Sequence, residues 1–142
     1  MNQASLFQKF VAFTASVYEI TNDMSVDVRS AALTPVQYKI LEYIAVSEPV
    51  TLSQISECMH MSMPNTSREL RKLTEQRLCE KITDDEDRRK QFIRLSQDGQ
   101  AMMNEAFAKI ENRLEDRIGH LSGEERKEIE RALDLLHSKV FY

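Results

Sequence analysis

Glycine and proline are scarce, with three of each in 142 residues. Few positions can break a helix or turn the chain at positive φ, so the composition predicts a mostly helical protein with short connections. Cysteine is rarer still. Cys58 and Cys79 suit a reducing compartment. They read first as two small buried apolar residues, with redox sensing as the sharper alternative. The three histidines are scattered. Cys58 and His60 form a C-x-H pair, but structural zinc takes four ligands in recognisable pairs, so no metal is expected. No apolar run is long enough to cross a bilayer, and no membrane partner is expected. The opening Met-Asn-Gln-Ala-Ser-Leu-Phe lacks a basic region followed by an apolar stretch, so the expected location is the cytoplasm. A Gly-rich phosphate loop is missing, and no Ser, His and acid arrangement is spaced as a triad. The chain therefore reads as neither an enzyme nor a cofactor carrier.

What is present begins with charge. The net charge is −4, which argues mildly against a nucleic-acid partner. The charge is uneven, however. Residues 88–94 hold four cations and no acid, whereas 98–134 are rich in Glu and Asp. Phosphates meet the local field, so an acidic body with a basic edge remains compatible with DNA.

Apolar periodicity marks the helices. Leu6, Phe10, Phe13, Val17, Ile20 and Met24 step by 4, 3, 4, 3, 4, a seam that packs on other helices. That seam is served either by intramolecular packing or by a second copy of the chain. After a connection at 25–32, Leu33-Thr-Pro-Val-Gln-Tyr38 announces a second helix. Thr34 caps it, Pro35 occupies its first turn, Gln37 closes a capping box, and Leu33 staples Tyr38. It should stop before Pro49. The device repeats with Thr51, Gln54, Val50 and Ile55, for a short helix ending near His60. Ser62 caps a fourth helix running to about Gln76, with Pro64 in its first turn. Its apolar side is sparse, and Asn65, Ser67, Arg68, Arg71 and Lys72 occupy its other faces. A polar helix of that kind suits a major groove. Ser96 opens a long helix at 97–121, and Ser122 with Glu125 opens the last one.

Between the fourth and fifth helices, residues 79–96 read as two short strands around a charged turn. Ile93 and Leu95 point one way, Phe92 and Arg94 the other. The turn carries Asp87-Arg88-Arg89-Lys90. The plain reading is a solvated tip. After a polar helix, the sharper reading is a wing that reaches into a nucleic-acid groove. The expected fold is thus mainly α with a small β-hairpin wing, a winged helix-turn-helix.

At this point the chain resembles the MarR family of bacterial transcriptional regulators. The resemblance rests on Leu33-Thr-Pro-Val-Gln-Tyr-Lys-Ile-Leu41, on Asn65-Thr-Ser-Arg-Glu-Leu-Arg-Lys-Leu73, and on Asp87-Arg88-Arg89 with Ile93-Arg-Leu-Ser-Gln-Asp-Gly99. It implies a single domain over 1–142, with a DNA-binding part at 33–96 and dimerisation helices at 1–32 and 97–142. It implies a homodimeric repressor, or less often an activator, on a pseudo-palindromic operator in double-stranded DNA. Arg89 would enter the minor groove, flanked by Arg88 and Lys90 and braced by Asp87. On the recognition helix, Asn65, Thr66 and Arg68 are the candidates for base contact. Ser62, Ser67 and Arg71 are the candidates for phosphate contact, and core packing is the alternative for Thr66. A pocket for a small aromatic ligand is also implied, with Tyr18, Tyr38, Met102, Met103 and Phe107 as candidate lining, against the plainer reading that each is simply core. Two rival functions stay open: a redox-controlled repressor acting through Cys58 or Cys79, and a winged helix used only for protein interaction. One departure stands out. Where family members often carry Gly after the recognition helix, this chain has Arg77. The turn then costs roughly 1 kcal/mol, or the helix runs longer.

Overall fold

The computed structural model describes residues 3–142. Met1 and Asn2, which open the N-terminal stretch discussed above, lie outside the described residues. Among the described residues the order is α1 (Leu6–Ser25), α2 (Pro35–Ser47), α3 (Leu52–Met59), α4 (Met63–Glu75), β1 (Cys79–Thr83), β2 (Gln91–Leu95), α5 (Gln97–Ile118) and α6 (Gly123–Lys139). This is a winged helix-turn-helix with flanking helices, as the periodicity predicts. The chain divides into two compact units, one up to Ile110 and one from Glu111 to Tyr142.

Capping explains where the helices of the first unit start. The hydroxyls of Thr34 and Thr51 accept from the amides of Gln37 and Gln54, and both glutamines reach back to complete the box. Ser5 and Gln8 form a further box on α1, one the sequence reading did not single out. The hydroxyl of Ser62 accepts from the Asn65 amide (3.2 Å). Such caps contribute about 1 kcal/mol each.

The core of this unit is continuous from α2 to α5. Ile40, Leu41, Ile44, Ile55, Leu73 and Met103 are all fully buried. Each such side chain contributes roughly 1.5–3 kcal/mol by leaving water. The four residues read as staples, Leu33, Tyr38, Val50 and Ile55, all belong to that core. Helix α1 contributes no buried residue. Its Leu6, Phe7, Phe13, Val17 and Tyr18 face solvent in the single chain.

β1 and β2 pair antiparallel, with Cys79 opposite Leu95 and Lys81 opposite Ile93. Ile93 and Leu95 are buried while Arg94 is exposed, so the alternation read from sequence holds. The hairpin does not stand alone. Val50, in the α2–α3 connection, forms an isolated antiparallel bridge to Ile93. Its amide donates to the Ile93 carbonyl (3.1 Å) and its carbonyl accepts from the Ile93 amide (2.6 Å). One carboxylate oxygen of Glu48 accepts from the Leu95 amide (2.9 Å).

In the second unit, α6 starts with the expected box of Ser122 and Glu125. The α5 helix ends at Ile118, three residues short of the sequence reading, and the chain turns back through Gly119–Ser122. Arg126 clamps this turn. Its guanidinium donates to both carboxylate oxygens of Glu115 (3.1 and 3.0 Å) and to the Ile118 carbonyl (3.3 Å). The hydrogen bond from Arg126 and its charge hold the Glu115 carboxyl below its ordinary pKa, and the same bond with the Glu115 charge raises that of Arg126. No residue of α6 is buried within the chain, and Leu133 and Leu135 are exposed.

Gly99 shows how tightly α5 is joined to the end of α4. The Ser96 amide donates to the Leu78 carbonyl (3.0 Å), and its hydroxyl donates to the Arg77 carbonyl (2.5 Å) while accepting from the Gly99 amide (3.0 Å). A Cβ on Gly99 would lie 2.0 Å from the Leu78 carbonyl oxygen, whereas one on Gly123 would meet nothing within 4 Å. Gly99→Ala is therefore expected to destabilise by about 1–3 kcal/mol or more through backbone displacement. Gly123→Ala is expected to be neutral or slightly stabilising. Urea denaturation of the two variants checks this, and equal stability of Gly99→Ala and the unmodified chain would contradict it.

Candidate nucleic-acid interface

Three faces of α4 follow from helical spacing. Thr66, Leu70 and Leu73 form the buried face. Asn65, Arg68 and Lys72 form an exposed stripe, and Ser67, Arg71 and Thr74 another. This corrects one assignment. Thr66 is fully buried and its hydroxyl donates to the Ser62 carbonyl (2.9 Å). It takes the packing alternative, because a side chain enclosed by the core cannot reach a base edge. Asn65, Arg68 and Arg71 are exposed, and Ser67 is half-buried. Ser62 is exposed, with its hydroxyl engaged as the cap. The Arg68 guanidinium leans back on the Pro64 carbonyl (3.3 Å).

Two devices orient this helix. The buried side chain of Gln37 serves twice. Its oxygen completes the α2 cap, and its amide donates to Glu69 on α4 (3.2 Å). Glu69 in turn pairs with Lys72 (3.5 Å). At the far end, Arg77 adopts φ 62°, the left-handed conformation that glycine usually supplies. The Arg77 amide donates to the Thr74 carbonyl (2.9 Å) and the Leu78 amide to the Leu73 carbonyl (3.0 Å). That is a Schellman turn with buried Leu78 packed into the core. The left-handed turn is thus made without glycine. His60 ends α3 in the same left-handed way.

The wing tip is ordered by its acids. An Asp87 carboxylate oxygen accepts from the Arg89 amide (3.0 Å) and from Arg89 Nε (3.3 Å). The Lys90 amide donates to the Asp87 carbonyl (2.9 Å), and an Asp84 carboxylate oxygen accepts from the Glu86 amide (2.9 Å). Asp87 thereby holds the tip in one shape. The Arg89 side chain stays 93% exposed despite its pairing, so the pair is screened and readily exchanged for another anion. Arg88 and Lys90 are exposed beside it. Arg94 lies on β2 opposite Glu80 and pairs with it (3.0 Å).

The remaining candidates separate. Tyr18 is 73% exposed on α1, whereas Tyr38 and Met103 are buried core. Met102 and Phe107 are half-buried against that core. Of the five, Met102 lines one of the two cavities described below. Tyr38 and Met103 take the core alternative, because their surfaces are already covered by neighbouring side chains. Burial and then the Glu42 carboxylate push the Tyr38 phenol up to about 12. Two cavities of this unit lie nearby. One of about 330 Å³ touches Thr21, Asn22, Lys39 and Glu42, and one of about 300 Å³ touches Arg29, Met102, Glu105 and Lys109. Cys79 is buried, and burial with the nearby Glu48 charge pushes its thiol up to about 12. A thiol so protonated is a poor nucleophile, which removes Cys79 from the redox alternative. Cys58 is exposed on α3. Among the described residues no group of three or more His, Cys, Asp or Glu is placed to hold a metal. No helix of the described residues is long and apolar enough to cross a membrane.

Sequence reasoning missed the Val50–Ile93 bridge, the Glu48 contact to the wing and the Gln37–Glu69 link. Val50 carried a signal, since a β-branched residue favours extended backbone. Glu48 carried none.

Comparison with known proteins bears on the same segment. Residues 33–90 match the model of the MarR family. No curated protein matches the chain. Among solved structures, the chain is similar to a MarR family protein from Bacillus stearothermophilus, with 20% identity, 98% of this chain and 100% of that chain covered, and a TM-score of 0.74. It is similar to an S. aureus MepR variant bound to an oligodeoxyribonucleotide, with 19% identity, 93% and 97% coverage, and a TM-score of 0.59. It is also similar to the PcaV transcriptional regulator from Streptomyces coelicolor in complex with its natural ligand, with 14% identity, 98% and 99% coverage, and a TM-score of 0.62. These likenesses carry the fold, and the family match falls on the helix-turn-helix and most of the wing.

Proposed function

We propose that this chain is a member of the MarR family and a DNA-binding transcriptional regulator. In this reading it acts as a homodimeric repressor on a pseudo-palindromic operator and is released by a small, aromatic ligand. The observation that carries the reading is the pairing of an exposed polar face on α4 with an ordered wing tip bearing Arg88, Arg89 and Lys90. An α-helix fits the major groove, and arginine at a hairpin tip suits the narrow minor groove beside it. Asn65 and Arg68 are then the base-contact candidates, and Ser62, Ser67 and Arg71 the phosphate candidates. A protein-interaction module would not call for three cations at one tip. The MepR variant in complex with an oligodeoxyribonucleotide supports DNA as the partner.

The whole chain acts here as one MarR-like domain, with 33–96 on DNA and 1–32 with 97–142 pairing the protomers. Support for the pairing comes from exposed apolar side chains, Phe13 and Val17 on α1 and Leu133 and Leu135 on α6. Such faces are costly in water unless a partner covers them. Ligand control is supported by the two cavities, which are of small-molecule size, and by the ligand complex of PcaV. A ligand acts only if it binds one arrangement of the dimer better than another.

Arg89→Ala is expected to lower DNA affinity by on the order of 1–3 kcal/mol, leaving oligomeric state and melting temperature unchanged. A gel-shift titration on fragments selected from genomic DNA measures it, and equal affinity would remove Arg89 from the interface.

The unmodified chain is expected to sediment as a dimer at micromolar concentration, and Phe13→Glu or Leu133→Glu to weaken assembly and DNA binding together. A compact monomer for the unmodified chain would contradict the dimer.

A further inference from the structure

The groove between α4 and β1 brings Lys81, a cation that the reading above leaves unused, to the phosphate candidates Ser67 and Arg71. It has a volume of about 230 Å³ and is lined by Ser67, Arg71, Thr74, Glu75 and Lys81. A smaller pocket of about 60 Å³ shares Ser67 and Lys81 with it. Ser67, Arg71 and Thr74 recur at helical spacing and form the stripe of α4 turned to the hairpin. Lys81 faces them from β1, opposite Ile93 in the register.

The chemistry of this groove is cationic. Arg71 and Lys81 are exposed, and among the described residues neither forms an ion pair. The neighbouring cations differ, since Lys72 is paired with Glu69 and Arg94 with Glu80. Thr74 is internally engaged, its hydroxyl donating to the Leu70 carbonyl (2.8 Å). Glu75 is the one acid in the lining, which leaves two cations and the Ser67 hydroxyl for an anion.

Duplex geometry supplies the anion. The major and minor grooves are separated by a sugar–phosphate backbone. If α4 lies in the major groove and the wing tip in the adjacent minor groove, that backbone must cross the surface between α4 and β1. We infer that Ser67, Arg71 and Lys81 form a phosphate seat for this backbone ridge, with Lys81 as a DNA-contacting residue on the wing strand. The inference rests on the DNA-binding reading. A seat of this kind fixes how deeply the helix and wing enter their grooves, and it carries no sequence preference of its own.

Salt dependence on random-sequence duplex DNA tests the seat without knowledge of an operator. Each phosphate contact contributes about 0.9 to the slope of log affinity against log salt. Lys81→Gln is expected to lower that slope by about one per protomer and to weaken binding uniformly across sequences. Lys81→Arg should retain the slope. Lys127→Gln on α6, which changes net charge equally, should leave it unaltered. If the unmodified protein binds with steep salt dependence while Lys81→Gln keeps the full slope, the seat is overturned and the DNA reading stands. The seat is equally overturned if Lys127→Gln lowers the slope as much. If the unmodified protein shows no salt-dependent binding to any duplex, the DNA reading itself is overturned.

Discussion

The structure around the proposed interface depends on two backbone hydrogen bonds between Val50 and Ile93. A two-stranded hairpin is marginally stable in water by itself. Here β2 is paired on both edges, by β1 on one side and by the single residue Val50 on the other. The two bonds contribute about 1–3 kcal/mol together, and the Glu48 carboxylate adds a charge-assisted bond at Leu95. Val50, Ile93 and Leu95 are also core residues, so the hydrogen bonds and the burial act at the same place. The hairpin is thereby tied to the connection that leads into the helix-turn-helix. The wing tip and α4 become two projections of one body rather than two mobile parts.

Much of this body was legible in the sequence because its signals are local. Thr34, Thr51, Ser62, Ser96 and Ser122 mark helix starts through short side-chain bonds that need only neighbours three residues away. The alternation at Phe92–Leu95 is likewise local, and it assigned the correct buried face. What the sequence hid lies in long-range pairing. Val50 and Ile93 are 43 residues apart, and nothing in either residue's neighbourhood names the other. Gln37 was identified as a cap, but its second bond to Glu69 required knowing that α2 and α4 pack together. Thr66 was ambiguous because it borders the apolar stripe of a helix with few apolar residues, and only tertiary packing resolves which way it faces. The candidate pocket was least legible. Aromatic and methionine side chains look alike whether they line a cavity or fill a core, and Tyr38 and Met103 fill the core.

Arg77 illustrates how local preference yields to context. The left-handed turn after α4 is needed so that Leu78 can enter the core and the Ser96 amide can bond its carbonyl. Arginine takes that conformation at a cost of about 1 kcal/mol, and the burial of Leu78 offsets it. The charge pattern has the same character. A chain with net charge −4 presents unpaired cations at the wing tip and in the groove between α4 and β1. Four of the acids near them act as structural acceptors, Asp84 and Asp87 within the turn, Glu69 toward Gln37 and Glu80 toward Arg94. A phosphate backbone responds to the local field rather than to the net charge.

Native-state hydrogen exchange tests the central claim, that wing and recognition helix are one body, most directly. Exchange of individual amides reports the free energy of the smallest opening that exposes each one. The account predicts that the Val50 and Ile93 amides exchange as slowly as those of Leu41 and Leu73 in the helical core, and far more slowly than those of Arg88 and Lys90 at the tip. Exchange of Val50 and Ile93 at the rate of the wing tip would show that the hairpin opens independently, and would contradict the account.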